Sequence, residues 1–481
     1  MPAWPGHHRH RRRPAKRMAP TALHAILHRV RLCLRSVLAL IGGGGPSPPS
    51  GGLSLSLSSL FGRGRQQLTF DDGLRVEVGR RIAEGGFSYV YEARLVSGGG
   101  GGGTGRRGKT AEAAAGDADG GDPPPGGHGG RRYALKRISC GDREIVQACR
   151  REAGVHRSLP PGHPNLLELL GLKFDRRGPP DGGGGGGVDL CYFLFPLMPD
   201  TLRGELTRRN VLLERPGEGR RCFTTREVLR LLGGLIDGLS AVHGRGLSHR
   251  DLKVENILLR PGRYADRDRG SGGGTGEGGY VPVIMDFGSA GPRSEPLATR
   301  SDVLRAVEAA SSQTTLAYRP PELFDGGVRH GPGANLEYDR ADVWGLGCVL
   351  FGLMHGCSPY EMDFVRDPPR GRDDVHGLVR VAGCTHLRIL GGVPDPPPLD
   401  GGGGTPRTYG GGRYPGEMHE LVRYMADHDR SRRPDVRRVA ERFAGVHLRL
   451  TGGRWVPRGD GAGRGGGDDV LDSPIADRDF V

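Results

Sequence analysis

The sequence predicts an α+β fold in two lobes, a small β-rich lobe followed by a larger helical one, interrupted by Gly-rich disordered insertions. Three observations predict it. Apolar runs of strand length come first and helical periodicity comes later. Gly (87) and Pro (37) make up about a quarter of the 481 residues, but much of the excess falls in four runs, 97–130, 175–187, 261–280 and 392–412. The 13 Phe, 12 Tyr and 3 Trp lie mostly outside those runs, as expected of a folded core carrying extended surface loops.

The elements follow in order. Arg75–Val78, Ser88–Arg94 and Arg132–Ile138 read as strands, and Val188–Phe195 as a fully apolar one. A helix is expected over about Asp142–Arg157. A second spans about Thr225–His243, where Val228, Leu231, Leu232, Leu235, Ile236, Leu239 and Val242 make one face. Thr224 and Glu227 fit a capping box there, and Gly244 a C-terminal stop. Ala341–His355 is apolar on nearly every side, which predicts a helix buried inside a domain.

The net charge of +14 is unevenly placed. Residues 1–70 hold eleven basic residues (Arg9, Arg11, Arg12, Arg13, Lys16, Arg17, Arg29, Arg31, Arg35, Arg63, Arg65) and no acid, leaving 58 basic and 55 acidic residues for the rest. A nucleic-acid-binding fold is not needed to explain the basic balance, and no specific nucleic-acid partner is expected. None of the eight cysteines forms a C-x-x-C pair, which excludes a zinc ribbon or thioredoxin motif and favours buried, reduced thiols in an intracellular protein. No uncharged apolar stretch reaches the roughly 20 residues of a membrane span.

The chemistry is concentrated in five motifs. The strongest is His249-Arg250-Asp251-Leu252-Lys253-Val254-Glu255-Asn256, followed by apolar Ile257-Leu258-Leu259. Asp286-Phe287-Gly288 comes later, behind Val283-Ile284-Met285. Tyr133-Ala134-Leu135-Lys136 reads as a strand bearing a lysine. Ile82-Ala83-Glu84-Gly85-Gly86-Phe87-Ser88-Tyr89-Val90 is a degenerate glycine-rich loop, weak by itself. Pro320-Pro321-Glu322 closes the segment that opens at Asp286. A lone Asp-Phe-Gly carries little information, but this ordered set resembles a eukaryotic protein kinase. His163-Pro164-Asn165, Met285-Asp286-Phe287-Gly288-Ser289, Tyr318-Arg319-Pro320-Pro321-Glu322-Leu323-Phe324, the Asp342–Leu350 helix and Arg432-Arg433-Pro434 sharpen the resemblance toward the Numb-associated kinases and the branch of serine/threonine kinase 16.

The resemblance implies ATP and Mg2+ as cofactors and protein Ser/Thr hydroxyls as acceptors. Phosphoryl transfer is mostly positioning and charge neutralisation, so each residue type has a physical task. Ala83, Glu84, Gly85, Gly86, Phe87, Ser88 and Val90 would fold over the phosphates, and Lys136 beside Ala134 would pair with them. Glu152 is the acid expected to fix Lys136, with Glu144 the alternative. Asn256 and Asp286 would supply oxygen ligands to magnesium. Asp251 would accept the substrate proton, with Lys253 and Thr315 beside it. Phe195 stands at the gatekeeper position before the Pro196-Leu197-Met198 hinge. Glu322 with Arg433, and Asp342, would be structural. Arg250 could pair with a phosphate placed on the Asp286–Glu322 segment. Ala83 and Ser88 depart from the glycine pattern, and motivate the alternative of a catalytically weak kinase-fold scaffold.

The expected organisation is a basic arm and linker over 1–68, a kinase domain over 69–449 (lobes about 69–197 and 198–449) and a disordered tail over 450–481. Residues 19–41 read as a basic amphipathic helix carrying Cys33. Three readings stay open for the arm: a helix on an anionic membrane surface, placing the protein in the cytoplasm or peripherally at endomembranes; an organelle import signal over 1–41; or upstream sequence with no targeting role and Met18 as the start.

Overall fold

The computed structural model describes residues 66–84, 88–96, 132–176, 189–209, 223–262, 279–324, 328–364, 378–380, 384–393 and 414–458. The arm, the Gly-rich runs apart from their edges, and the chain beyond 458 lie outside the described residues.

The first lobe is a six-stranded antiparallel sheet. Its strands are β1 (Gln67–Thr69), β2 (Arg75–Glu84), β3 (Ser88–Leu95), β4 (Arg132–Cys140), β5 (Gly171–Arg176) and β6 (Asp189–Pro196), ordered β1-β2-β3-β4-β6-β5. The run Leu190–Phe195 is continuously apolar because the sheet is covered on both faces. Cys191, Phe193 and Phe195 pack with Ile145, Cys149 and Ala153 of helix α1 (Arg143–Ser158). Leu190, Tyr192 and Leu194 face the other way, onto Leu68, Phe70, Val76 and Leu135. Strand β5 includes Asp175 and Arg176, so the Gly-rich run expected from 175 starts later.

Helix α1 begins where Asp142 accepts the Ile145 N–H at 2.8 Å. In the second lobe, α2 (Leu202–Arg208) precedes α3 (Thr225–Gly244). The capping box of α3 closes both ways, Thr224 Oγ1 accepting from Glu227 N and the Glu227 carboxylate from Thr224 N. Gly234 allows a close crossing: a Cβ there would sit 2.7 Å from Asn165 Nδ2. That amide donates to Pro282 O at 2.8 Å, stitching the two lobes together.

Two short strands, β7 (Asp200–Thr201) and β8 (Leu247–Ser248), flank the entry to a hairpin of β9 (Ile257–Pro261) and β10 (Tyr280–Ile284). Next come β11 (Gly291–Pro292), β12 (Ser294–Pro296) and helix α4 (Arg300–Gln313), which starts with its own capping box of Thr299 and Asp302. Strand β13 (Asn335–Glu337) leads into α5 (Tyr338–His355). Seventeen residues of α5 are buried, and Gly356 ends it with φ 93°, a value that favours glycine. Two further helices, Gly416–Met425 and Val436–Thr451, pack on the same core.

The expected boundary at 449 falls inside that last helix. Packing continues to Trp455, which meets Phe443 edge-on at 4.9 Å, and to Arg458, whose N–H donates to Asp237 at 3.1 Å. A buried indole holds the start of the expected tail against the core. Five cysteines (140, 149, 191, 348, 357) are buried free thiols and Cys384 is half-buried. Among the described residues no helix is long and apolar enough to cross a membrane.

Candidate active site

The β9–β10 hairpin builds the centre of the site. Ile257 pairs with Ile284, so the residues flanking the pair are neighbours although some thirty positions separate them in sequence. Met285 N donates to Asn256 O at 3.0 Å, which brings Asn256 beside Asp286. Arg250 (φ 69°) and Asp286 (φ 64°) are the two non-glycine residues with positive φ among those described. Such conformations cost about 1–3 kcal/mol each and persist where surrounding structure imposes them. Asp342 imposes one. Its carboxylate accepts from His249 N and Arg250 N, both at 2.7 Å, and bonds His243 Nε2 at 2.9 Å.

Around Asp251 the geometry is dense. Lys253 Nζ lies 2.6 Å from Asp251 Oδ2 and 2.7 Å from Thr315 Oγ1. Thr315 donates its N–H and its hydroxyl to Asp251 Oδ1, each at 3.0 Å. Asn256 Nδ2 donates to Asp251 O at 2.8 Å. Burial lifts the Asp251 carboxyl above its ordinary value, while Lys253 and the Thr315 N–H pull it back. Burial acts against the charge on Lys253, but Asp251 outweighs it and the ammonium is held above its ordinary pKa.

Lys136 Nζ meets Glu152 Oε1 at 3.0 Å, joining β4 to α1. Burial opposes the charge on Lys136, and the attraction of Glu152 and then of Asp286 overcomes it, so this pKa is raised. Burial also raises the Glu152 carboxyl, with Lys136 opposing. We assign the pair as ionised because Nζ and Oε1 meet at 3.0 Å and the attraction of Glu152 and Asp286 holds the Lys136 ammonium charged.

The remaining expected residues fall around this centre. Ala83 pairs with Val90 and Glu84 with Tyr89, closing the β2–β3 hairpin; Ser88 is buried. Gly85, Gly86 and Phe87 lie outside the described residues. Ala134 pairs with Phe195 and Tyr133 with Pro196, so the gatekeeper and hinge positions continue the strand that faces Lys136. Leu197 and Met198 pack against the sheet core. Glu322 holds Arg433 through two bonds of 2.6 and 3.0 Å, and Arg433 has no exposed surface.

Two features were missed in the sequence. His156, one turn after Glu152 on α1, sits in a column of rings: Phe195–His156 5.3 Å, His156–Phe287 5.0 Å and Phe287–His249 5.2 Å between centroids. Burial, reinforced by Lys136, pushes its pKa down to about 4, so it is a neutral packing residue. The spacing Glu152 plus four was the available signal. The other is Glu295, which takes the side chain of Arg250; nothing local in the sequence marked it.

Asn256 offers a test of the metal assignment. Its Nδ2 is used, but its Oδ1 is buried without a hydrogen-bond partner, an orphaned acceptor of the hard-oxygen kind that suits magnesium. The Asp286 carboxylate is close to Glu152: a Cβ placed on Gly288 would be 3.3 Å from Asp286 Oδ1 and 3.7 Å from Glu152 Oε2. The residues present fit the ion.

A buried lysine–glutamate pair, an aspartate shared by a lysine and a threonine, and a bilobal frame define a phosphotransferase of the protein kinase class. Comparison with known proteins agrees. The family model described as "Protein kinase domain" matches residues 127–442, well over half of the sequence, and the chain belongs to that family. It is a protein kinase. It is similar to serine/threonine-protein kinase 16 of Rattus norvegicus and of Homo sapiens, 31% identical to each over 285 residues, which is 59% of this chain and 71% of the relative. A Dictyostelium discoideum protein named as a probable serine/threonine-protein kinase is 26% identical over 284 residues, 59% of this chain and 19% of that one.

Proposed function

We infer that this kinase transfers the γ-phosphoryl group of ATP to Ser or Thr hydroxyls of proteins, with the domain spanning about 69–449 and a short ordered extension. The observation that carries this reading is the triangle of Asp251, Lys253 and Thr315, closed by contacts of 2.6, 2.7 and 3.0 Å. Asp251 is the proton acceptor for the incoming hydroxyl. Thr315 and Lys253 fix its carboxylate so that no reorganisation is needed as the O–H bond breaks. Lys253 also places a cation where the transferred charge passes. Lys136, held by Glu152, neutralises the nucleotide phosphates. The hinge at Pro196, Leu197 and Met198 takes the adenine, with Phe195 closing the space behind it. Asn256 and Asp286 would hold the magnesium ion, which when bound neutralises phosphate charge. The positioning of Thr315 against the carboxylate favours Ser/Thr acceptors. The arm's acid-free, Arg-rich sequence at 19–41 is proposed to direct the enzyme to an anionic membrane surface.

The test is phosphate transfer to casein by the full chain with Mg-ATP. Wild type should label Ser and Thr, and Lys136→Met and Asp251→Asn should not. Labelling by both variants at the wild-type rate would overturn the reading.

A further inference from the structure

Arg250 immediately precedes Asp251, and its side chain is only 10% exposed. The guanidinium lies over the Tyr338 ring, 3.7 Å from carbon to centroid. A buried guanidinium needs an anion. Arg250 Nη2 donates to Glu295 Oε1 at 2.8 Å and to Pro292 O at 2.7 Å. Both acceptors belong to the segment between Asp286 and Glu322 that carries Thr315.

That segment is fixed from two sides by its own backbone. Gly291 and Pro292 pair with Ser248 and Leu247, next to the catalytic loop. Ser294–Pro296 pairs with Asn335–Glu337, placing Glu295 opposite Leu336. Between them Arg293 binds Asp339 through 3.2 and 2.6 Å contacts, and its carbonyl accepts from Tyr338 N. Gly291 permits the close approach, since a Cβ there would lie 2.8 Å from the Arg250 guanidinium carbon. In kinases whose segments are ordered by phosphorylation, a new Arg–phosphate pair supplies the order. Here a carboxylate already holds the arginine.

We propose that Glu295 is a positioning residue that serves Arg250 as a built-in anion in place of a phosphate, so that this kinase turns over without phosphorylation of its activation segment. The proposal rests on the Ser/Thr kinase reading above. A phosphate would bring about −1.5 to −2 charge where glutamate brings −1. The Pro292 carbonyl and the Tyr338 ring face add to the hold on the guanidinium.

The experiment uses the full chain, treated with a phosphatase and shown phosphate-free by intact mass, with casein and Mg-ATP as substrates. Wild type should keep its kcat after phosphate removal. Glu295→Ala should lower kcat about tenfold, the equivalent of roughly 1.4 kcal/mol, with KM for ATP little changed. Arg250→Gln should match it, and the double variant should be no worse than either single one. Glu295→Asp should recover part of the loss, which a purely structural defect would not show. A kcat that collapses with phosphate removal, a fully active Glu295→Ala or additive losses would each overturn the proposal. Untreated wild type that transfers nothing would instead overturn the underlying kinase reading, and this proposal with it.

Discussion

Replacing Glu322 with Ala should be among the most damaging single changes outside the triangle of Asp251, Lys253 and Thr315. Arg433 is fully buried and its guanidinium spends two N–H groups on Glu322, at 2.6 and 3.0 Å. Its other bonds go to carbonyls, Asp427 O at 2.9 Å and Arg340 O at 3.2 Å, and it stacks over Trp344 at 4.9 Å. Removing the carboxylate strands a cation that cannot reach water. Breaking one partner of such a pair costs about 3–5 kcal/mol, because the surviving charge stays desolvated. At roughly 2–4 °C per kcal/mol for a domain of this order of size, melting should fall by about 6–20 °C. Removing both charges, Glu322→Leu with Arg433→Met, should recover most of the loss, since well-packed apolar replacements of buried pairs are often near neutral. Differential scanning calorimetry of the single and double variants decides the matter. A single variant within about 1 kcal/mol of wild type, or a double variant no better than the single, would refute the stranded-charge argument.

Further outcomes follow from the same structure. Burial raises Asp237 to about 6, against the pull of the Arg458 N–H. The folded state therefore holds this proton more tightly than the unfolded chain, so the group's contribution is present at low pH and lost as pH rises through about 6. Asp237→Asn should raise stability at pH 7 by at most about 3 kcal/mol and change little at pH 4, as urea titrations would show. His156 has the opposite sign: with a folded pKa of about 4, its contribution is present above its ordinary value of 6.5 and lost as pH falls toward 4. His156→Leu should flatten that acid limb of the urea-derived stability curve. Mg-ATP at 100 times its Kd should stabilise wild type by about 2.7 kcal/mol in a thermal shift, and Asp286→Ala should abolish the magnesium-dependent part. A wild type that shows no shift would favour a scaffold over an enzyme.

Much of the fold could be read from local rules. Gly244, expected to end α3, is still helical and Gly246 takes the left-handed φ of 70°, but the capping box at Thr224 and Glu227 and the single apolar face of α3 depend on neighbours within a few residues. So does α4, with its Thr299–Asp302 box and Val303, Ala306 and Ala310 spacing, although Ala and Ser dilute the apolar pattern. The strand β1 was less legible, being three residues long and justified only by the outer sheet face that Leu68 covers. The site divides along the same line. Residues carrying chemistry are marked by their motif, and so is Asp342, which the Asp342–Leu350 motif singled out although it reaches His249 across 93 positions; Glu295, which reaches Arg250 across 45, lies in no motif. Residue type alone could not select it from 55 acids. Trp455 was hidden for another reason, since its Gly- and Arg-rich flanks resemble a tail while the indole buries itself.

The most direct test of the central claim compares wild type with Asp251→Asn in a radiolabel transfer assay with casein, at saturating Mg-ATP. Asn keeps the shape of the contact with Thr315 but cannot take up the hydroxyl proton. The variant should lose about 10²–10⁴-fold in kcat, while its Mg-ATP thermal shift persists. Equal labelling by the two proteins would contradict the account.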